Sequence, residues 1–484
     1  MNNKSMAKNA ALNTIKTIMA MVFPLITFPY ASRVLQVDNI GKVNYSASII
    51  SYFSLLAGLG IKTYAVREGA RIREDKQALE KFTNQMFTVN VISTVISYFL
   101  LAVLVYFSPN LSSYKTLIAI QSINVIGTTI GIEWLYTIVE DYYYITMRSI
   151  FVQFVSMLLL FALVHSKEDY IIYAGISVFA TTASYIFNFV HAKKIVRVRL
   201  TKHIDVEKHL KPIMIIFAMS IATTIYVNSD TTMLGILGGD YYVGVYSTST
   251  KMYSILKNVM SASILVALPR LSHCLATENK ERFQFEAGKI LNSFIVLLLP
   301  TVVGTFMLSK DIILILAGDS FLEASTSLQI LCVSLVFSIF AIYMTNVILL
   351  PAQKEKDIMY ATIVSAVVNV ILNFVFIPWL KHNGAAITTT ISEAIVLFWQ
   401  IIAAKEYIRI KIKKAEIGKV VIGCGSIIIV CVALECVKMN LIMDTALKVV
   451  VSVLVYAAVL VLTRHQVAVA FITGVKRKFG IADK

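Results

Sequence analysis

Seven ionisable side chains stand inside stretches of the chain that are otherwise apolar: Lys16, Glu133, Asp230, Lys251, Lys257, Glu393 and Glu435. A charge in the hydrocarbon region of a membrane costs ~2.5–3.5 kcal/mol even on the most lenient insertion scale. Such residues pair with one another or face water. Neither use breaks covalent bonds, so the chemistry on offer is electrostatic: holding a charged group or an ion. Asp230 falls roughly 10 Å from the end of its apolar stretch and Lys251 roughly 13 Å into the next, at 1.5 Å per helical residue. Opposite charges at similar depth on consecutive helices could form an ion pair. Helical spacing sets Lys251, Ser254 and Asn258 on one stripe, while Lys257 projects ~120° away from Lys251. Lys16, with Asn13 one turn before it, lies near the start of the first stretch, and Arg33 closes its far end.

Two uses compete for these charges. One is a set of ion pairs that fixes helix register. The other is a water-filled cavity, cationic on balance, that accepts an anionic headgroup, with Lys16, Arg33, Asp230, Lys251, Lys257 and Asn258 as its lining. The second is preferred, because Asp230 alone cannot neutralise several cations at this depth. Glu393 and Glu435 could line a groove edge or snorkel to an interface.

Signatures of bond-making chemistry are missing. The chain has no Asp-x-Asp pair, phosphate-binding Walker loop, nucleophile elbow or paired-histidine metal motif. Gly423-Cys-Gly425 sits in an apolar stretch, where small residues permit close helix packing. The seven histidines are scattered over loops and stretch ends, and the five cysteines lack metal-like spacing. The protein is therefore expected to be no enzyme and to need no metal or other cofactor. Asp230 could bind Na⁺ or H⁺, and the membrane potential alone could act on a charged substrate.

The elements that must position these residues are membrane helices. Hydrophobic residues make up 57% of the 484, and apolar runs of roughly 20 residues, the length that crosses a ~30 Å hydrocarbon core, recur throughout. Fourteen are expected, centred near residues 20, 51, 95, 126, 155, 180, 222, 256, 297, 337, 368, 393, 426 and 453. With the N-terminus in the cytosol, 34 of the 44 Lys and Arg fall on the cytosolic side, 8 on the other and 2 within a span. That bias sets orientation, so both termini are expected in the cytosol. A net charge of +16 thus reports topology and attraction to anionic headgroups, not nucleic acid. The first apolar run continues past residue 30 without a small-residue cleavage site and reads as a span.

Loops are short, and no segment is long enough for a soluble catalytic domain of ~100 residues. Six spans end in a basic linker at 191–211, and six more precede another at 405–416. The expected fold is all-α and polytopic, in a 6+6+2 arrangement: residues 1–200, residues 201–410, and accessory spans with a basic tail at 411–484. An even number of spans per half gives both halves the same orientation. Pro24, Pro29 and Pro300 lie within spans, as static bends or as gates.

Order and spacing of short motifs over some 350 residues complete the reading. They are Pro29-Tyr-Ala-Ser-Arg33-Val-Leu35, Gly41-Lys-Val-Asn44, Gly60-Ile-Lys-Thr-Tyr-Ala-Val-Arg67-Glu68, Glu133-Trp-Leu-Tyr136 and Glu140-Asp-Tyr-Tyr-Tyr-Ile-Thr-Met-Arg148. Asp230-Thr-Thr-Met-Leu234, Gly244-Val-Tyr246, Leu268-Pro-Arg-Leu-Ser272 and Asn383-Gly-Ala-Ala386 follow. Together they resemble the bacterial polysaccharide (oligosaccharide repeat-unit) flippases of the MATE-like superfamily. The resemblance implies two six-helix lobes around a central cavity, two accessory helices, and location in the bacterial plasma membrane. It implies transport of an undecaprenyl-diphosphate-linked glycan from the inner to the outer leaflet by alternating access, for a capsule, O-antigen or other surface polymer. Glycan polymerase and glycosyltransferases of the same pathway would be partners, beside membrane lipids. By the same resemblance Arg33 sits near the cavity mouth. Arg67, Glu68, Glu133, Glu140 and Arg148 form a gate latch, with Arg67, Glu68, Glu140 and Arg148 on cytoplasmic loops, or else an interlobe salt-bridge cluster. A lipid II flippase or a multidrug exporter would share the fold; a membrane glycan polymerase or acyltransferase would need an outer loop or an intramembrane histidine that this chain lacks.

Overall fold

The computed structural model describes residues 3–265, 280–405, 407, 414–436, 439–470 and 473. The motif at 268–272, Cys274 and the basic run at 476–478 lie outside them. The described secondary structure is helical, and the chain divides into two compact units, Met1–Gly244 and Val245–Lys484.

In the first unit, helix α1 runs Asn3–Gly58 and α2 runs Ile61–Gly69. A straight helix of 56 residues would be roughly 84 Å long, nearly three times the hydrocarbon core. It is not straight: Gln36 leaves the helical region at φ 66° and ψ 174°. Lys16 lies before that break and Lys62 after α1, yet both close on one carboxylate, that of Glu133. The chain therefore doubles back at Gln36 and crosses twice. Helices α3 (Lys76–Phe107), α4 (Lys115–Gln121), α5 (Ile123–Ile130), α6 (Glu133–Ile138), α7 (Tyr142–Leu163), α8 (Tyr170–Ala192) and α9 (Val206–Leu237) follow.

Helix α10, Asp240–Leu265, leads into the second unit, with α11 (Lys280–Met307), α12 (Ser309–Ala317), α13 (Ala324–Tyr343), α14 (Glu355–Ala404), α15 (Lys414–Leu434) and α16 (Leu441–Leu462). Helix α14 is the second hairpin. It breaks at Lys381, with φ 50° and ψ −127°. Across the break Thr388 Oγ1 donates to Asn373 Oδ1 at 2.5 Å and Ser365 Oγ to the Ser392 carbonyl at 2.8 Å, contacts a continuous helix would hold more than 20 Å apart. Gly384 belongs at this turn, because a Cβ there would stand 2.4 Å from the Phe376 carbonyl oxygen.

Among the described residues, eleven segments are long and apolar enough to cross a membrane. Two of these double back, and α10, which is not among the eleven, has at 26 residues the length for one more, matching the fourteen passes expected. Side chains on the flanks are apolar and exposed, among them Phe99, Phe151, Ile186, Phe374, Ile402 and Leu454, as a surface in contact with lipid requires. Between helices the buried residues are often small and polar. Asn90 Nδ2 and Ser93 Oγ both donate to the Ala57 carbonyl at 2.6 Å, and Ser97 Oγ to the Phe53 carbonyl at 2.7 Å. Small residues let helices approach closely, and their hydrogen bonds hold the pairing where hydrophobicity cannot.

Candidate functional site

The short helices α2 and α6 pack on each other at the basic end of the first unit. Tyr64 and Ala65 share a buried cluster with Trp134, Leu135 and Ile138. Helix α6 is bracketed by two non-glycine residues with positive φ, Ile132 at 29° and Glu140 at 58°. These breaks end α5, start a new helix at Glu133 and release it before α7. Ion pairs sit at both ends of α6: Lys16 Nζ and Lys62 Nζ donate to Glu133 Oε1 and Oε2 at 2.5 and 3.3 Å, and Arg73 Nη1 donates to Glu140 Oε1 at 2.5 Å. Arg67 and Arg71 share Glu68, at 3.0 and 2.9 Å.

Of the residues expected in a gate latch, Glu133 and Glu140 are thus joined to this end of the unit; Arg67 and Glu68, expected on a loop, lie instead within α2. Arg148 needs a correction. Its expected loop position is replaced by the second turn of α7, which starts at Tyr142 because the Asp141 carboxylate caps it, accepting the Tyr144 N–H at 3.2 Å. Arg148 is buried there, bound to Asn188 Oδ1 and near Ser149 Oγ, with its guanidinium 5.8 Å from the centre of the Tyr144 ring. Two cations, Lys16 and Lys62, therefore close on one carboxylate, while the described hydrogen bonds of Arg148 go to Asn188 and Ser149.

Higher in the same unit, Arg33 is exposed, and its Nη1 donates to the Pro29 carbonyl at 2.7 Å. Asp230 is buried on α9. Two residues on, Thr232 Oγ1 donates to Ser48 Oγ at 2.9 Å and lies 3.3 Å from the Tyr52 hydroxyl.

In the second unit Lys257 Nζ donates to Glu393 Oε1 at 2.6 Å, and the Tyr253 hydroxyl donates to the same oxygen at 3.1 Å. Glu393 is buried, about 18 Å from the break at Lys381 along α14. The expectation that it snorkels or lines a groove edge is corrected: it neutralises Lys257, as Glu133 neutralises Lys16, so the premise that Asp230 alone faces these cations does not hold. Lys251 is half-buried, and the two residues that share its stripe, Ser254 and Asn258, are exposed. The six expected cavity residues are therefore divided, with Lys16, Arg33 and Asp230 in one unit and Lys251, Lys257 and Asn258 in the other.

A groove of about 370 Å³ lies between α11, α12 and the accessory helices α15 and α16. Leu297, Pro300, Ile427, Val449 and Val453 line it. Tyr456 forms one wall: its hydroxyl donates to the Val296 carbonyl at 2.8 Å, and its ring packs on Gly423, where a Cβ would collide with it. At one end Lys448, on α16, bridges Asp444 and Asp311 at 2.7 and 3.6 Å.

Sequence reasoning missed Lys62, Arg73 and Tyr253. Their partners lie 67 to 140 residues away, at spacings that carry no local signal. It also set His209 among the histidines scattered over loops and stretch ends. The residue is buried, with Nδ1 2.8 Å from the Tyr64 hydroxyl and Nε2 3.0 Å from Gln85 Oε1. Gln85 Nε2 donates onward to Asp205 Oδ2 at 3.0 Å, and that hydrogen bond is the largest influence holding the Asp205 carboxyl below its ordinary value.

Comparison with known proteins places this arrangement. A family model described as polysaccharide biosynthesis protein matches residues 6–275, and one described as MatE matches residues 215–375. The putative O-antigen transporter of Escherichia coli (strain K12) is 22% identical over 404 residues, covering 82% of this chain and 95% of that protein. The probable low-salt glycan biosynthesis flippase Agl15 of Haloferax volcanii is 24% identical over 200 residues, covering 41% and 42%. Among solved structures, the lipid II flippase MurJ in an inward closed conformation superposes with a TM-score of 0.74 at 16% identity, over 94% of this chain and 99% of that one. An inward-facing MATE-family multidrug transporter superposes at 0.60 with 14% identity, over 82% and 98%. These likenesses establish the fold as the polytopic helical bundle shared by MurJ and MATE transporters. Since the first family model spans more than half of the sequence, the chain belongs to the polysaccharide biosynthesis protein family.

Proposed function

We propose that the protein moves a prenyl-diphosphate-linked oligosaccharide repeat unit from the inner to the outer leaflet of a bacterial plasma membrane by alternating access, for export of a surface polysaccharide. The observation that carries this is the sharing of the Glu133 carboxylate by two cations, Lys16 and Lys62. A carboxylate shared by Lys16 and Lys62 is a built-in competitor for an incoming anion. A diphosphate, with more charge and more acceptor oxygens, displaces it and takes over both lysines. The names of related proteins, an O-antigen transporter and a glycan flippase, support the substrate class. Arg33 and the Lys251–Ser254–Asn258 stripe would serve later stages of passage, and Asp230 a coupling cation. The glycan stays in water while the prenyl chain follows the apolar groove beside α15 and α16. Residues 1–200 and 201–410 would act as the two transport lobes, with 411–484 accessory, both termini in the cytosol, and polymerase and glycosyltransferases as pathway partners.

The test is transbilayer movement of a labelled prenyl-diphosphate glycan in proteoliposomes. Lys16→Ala, Arg33→Ala and Lys251→Ala should each reduce translocation at least tenfold while protein levels persist. Unchanged movement in all three would remove the anion-binding assignment. A lipid II flippase is the second reading, favoured by the superposition on MurJ; transport of lipid II in preference to a repeat-unit lipid would decide for it.

A further inference from the structure

The basic linker between α8 and α9 is fastened to the first turns of α3. Asn84 Oδ1 accepts the Arg199 N–H at 2.7 Å, Thr88 Oγ1 accepts the Thr201 N–H at 3.0 Å, and Gln85 Nε2 donates to the His203 carbonyl at 3.1 Å. These bonds leave an open cleft of about 620 Å³ lined by Lys76, Gln77, Glu80, Lys81, Asn84 and Thr201. It is apart from the Glu133 cluster and plays no part in the mechanism above.

Three features say what the cleft would hold. Its lining carries Lys76 and Lys81 against Glu80, and the linker around Thr201 adds exposed Arg197, Arg199 and Lys202, with Asp205, held by Gln85, as the linker's acidic member. In the middle of those cations Leu200 is 64% exposed, an apolar side chain suited to a bilayer interface. The position on α3 agrees. Eleven residues from Lys81 and rotated by only ~20° comes Ile92, 50% exposed and the first of the bare stripe Ile92, Ile96, Phe99. The cleft therefore sits at the headgroup end of a helix face that continues into lipid.

We infer that this cleft is a binding site for the headgroup of an anionic glycerophospholipid, with the phosphate on Lys76 and Lys81. The glycerol hydroxyls would be met by Glu80, Gln77, Asn84 and Thr201, and Leu200 would be inserted beside the acyl chains. Basic pockets at the headgroup level of membrane helices are suited to such lipids, each lysine contributing about fivefold in affinity. A single acidic residue in a lysine-lined cleft discriminates against a bare anion while offering an acceptor to a hydroxyl.

Native mass spectrometry of the full chain in detergent tests this, with phosphatidylglycerol, phosphatidylcholine and soluble glycerol phosphate as probes. Phosphatidylglycerol should be retained at least fivefold better than phosphatidylcholine, and glycerol phosphate should not displace it at equal concentration. K76Q/K81Q should lose at least tenfold in phosphatidylglycerol binding with its unfolding temperature in lipid-free detergent unchanged. K193Q/K194Q, equal in charge but outside the cleft, should lose no more than twofold. Equal losses in the two double variants would reduce the effect to diffuse attraction and overturn the site. So would equal retention of the two lipids. Displacement by glycerol phosphate would reassign the cleft to a soluble phosphorylated ligand.

Discussion

Lys16 and Lys62, on opposite sides of the break at Gln36, meet on the two oxygens of a single carboxylate, Glu133. One residue thereby closes the α1 hairpin, anchors the short helix α6 and masks two cations. The arrangement is poised, because the exposed half of it, Lys62, is held weakly in solvent.

Removing the mask should strengthen anion binding and impair release. Glu133→Gln is expected to bind a prenyl-diphosphate lipid three- to tenfold more tightly in a detergent-phase assay and to translocate it more slowly in proteoliposomes. Weaker binding by this variant would mean that Glu133 supports the site instead of competing for it.

Lys257, half-buried, and Glu393, buried, form a pair reinforced by Tyr253. Breaking one partner leaves an uncompensated charge, which costs about 3–5 kcal/mol, whereas removing both is far milder. Lys257→Met and Glu393→Leu should each lower the unfolding temperature sharply, and the double variant should recover most of the loss. Additive losses in a double-mutant cycle would show that the pair is not coupled.

His465, just past α16, offers a titration at the basic end of the second unit. Its Nδ1 accepts the Val467 N–H at 3.2 Å and its Nε2 lies 3.3 Å from Glu416 Oε2, a pattern that fits the neutral ring with the proton on Nε2. Burial, the larger influence, holds its pKa below the ordinary 6.5 against the opposing pull of Glu416. The folded protein then binds fewer protons than the unfolded chain as pH drops below about 6.5, so stability is lost through that window and not above it. Thermal unfolding between pH 7.5 and 5 should show the slope, and His465→Gln should flatten it.

The α14 hairpin depends on Gly384. A side chain there meets the Phe376 backbone at 2.4 Å, and backbone cannot swing aside as a side-chain tip can. Gly384→Val is expected to cost several kcal/mol and to reduce the yield of folded protein. Gly288→Ala, where nothing lies within 4 Å, should be tolerated and serves as the comparison in fluorescence-detected chromatography.

What the linear chain determined was the set of quantities that sum over neighbours. Apolar runs of bilayer length specify a polytopic helical protein wherever they fold, and the distribution of Lys and Arg biases orientation before any helix packs. Both are local properties, so the fourteen passes and the helical class were legible, including the two inside α1 and the two inside α14. The ion-pair partners were not. Lys16 finds Glu133 117 residues away and Lys257 finds Glu393 136 away. The burial of Arg148 depended on α7 starting at Tyr142 and on Asn188 arriving from α8. Such contacts are decided by which helix faces pack together, and in lipid, where apolar faces are nearly interchangeable, the choice rests on a few small or polar residues whose meeting only the tertiary structure brings about.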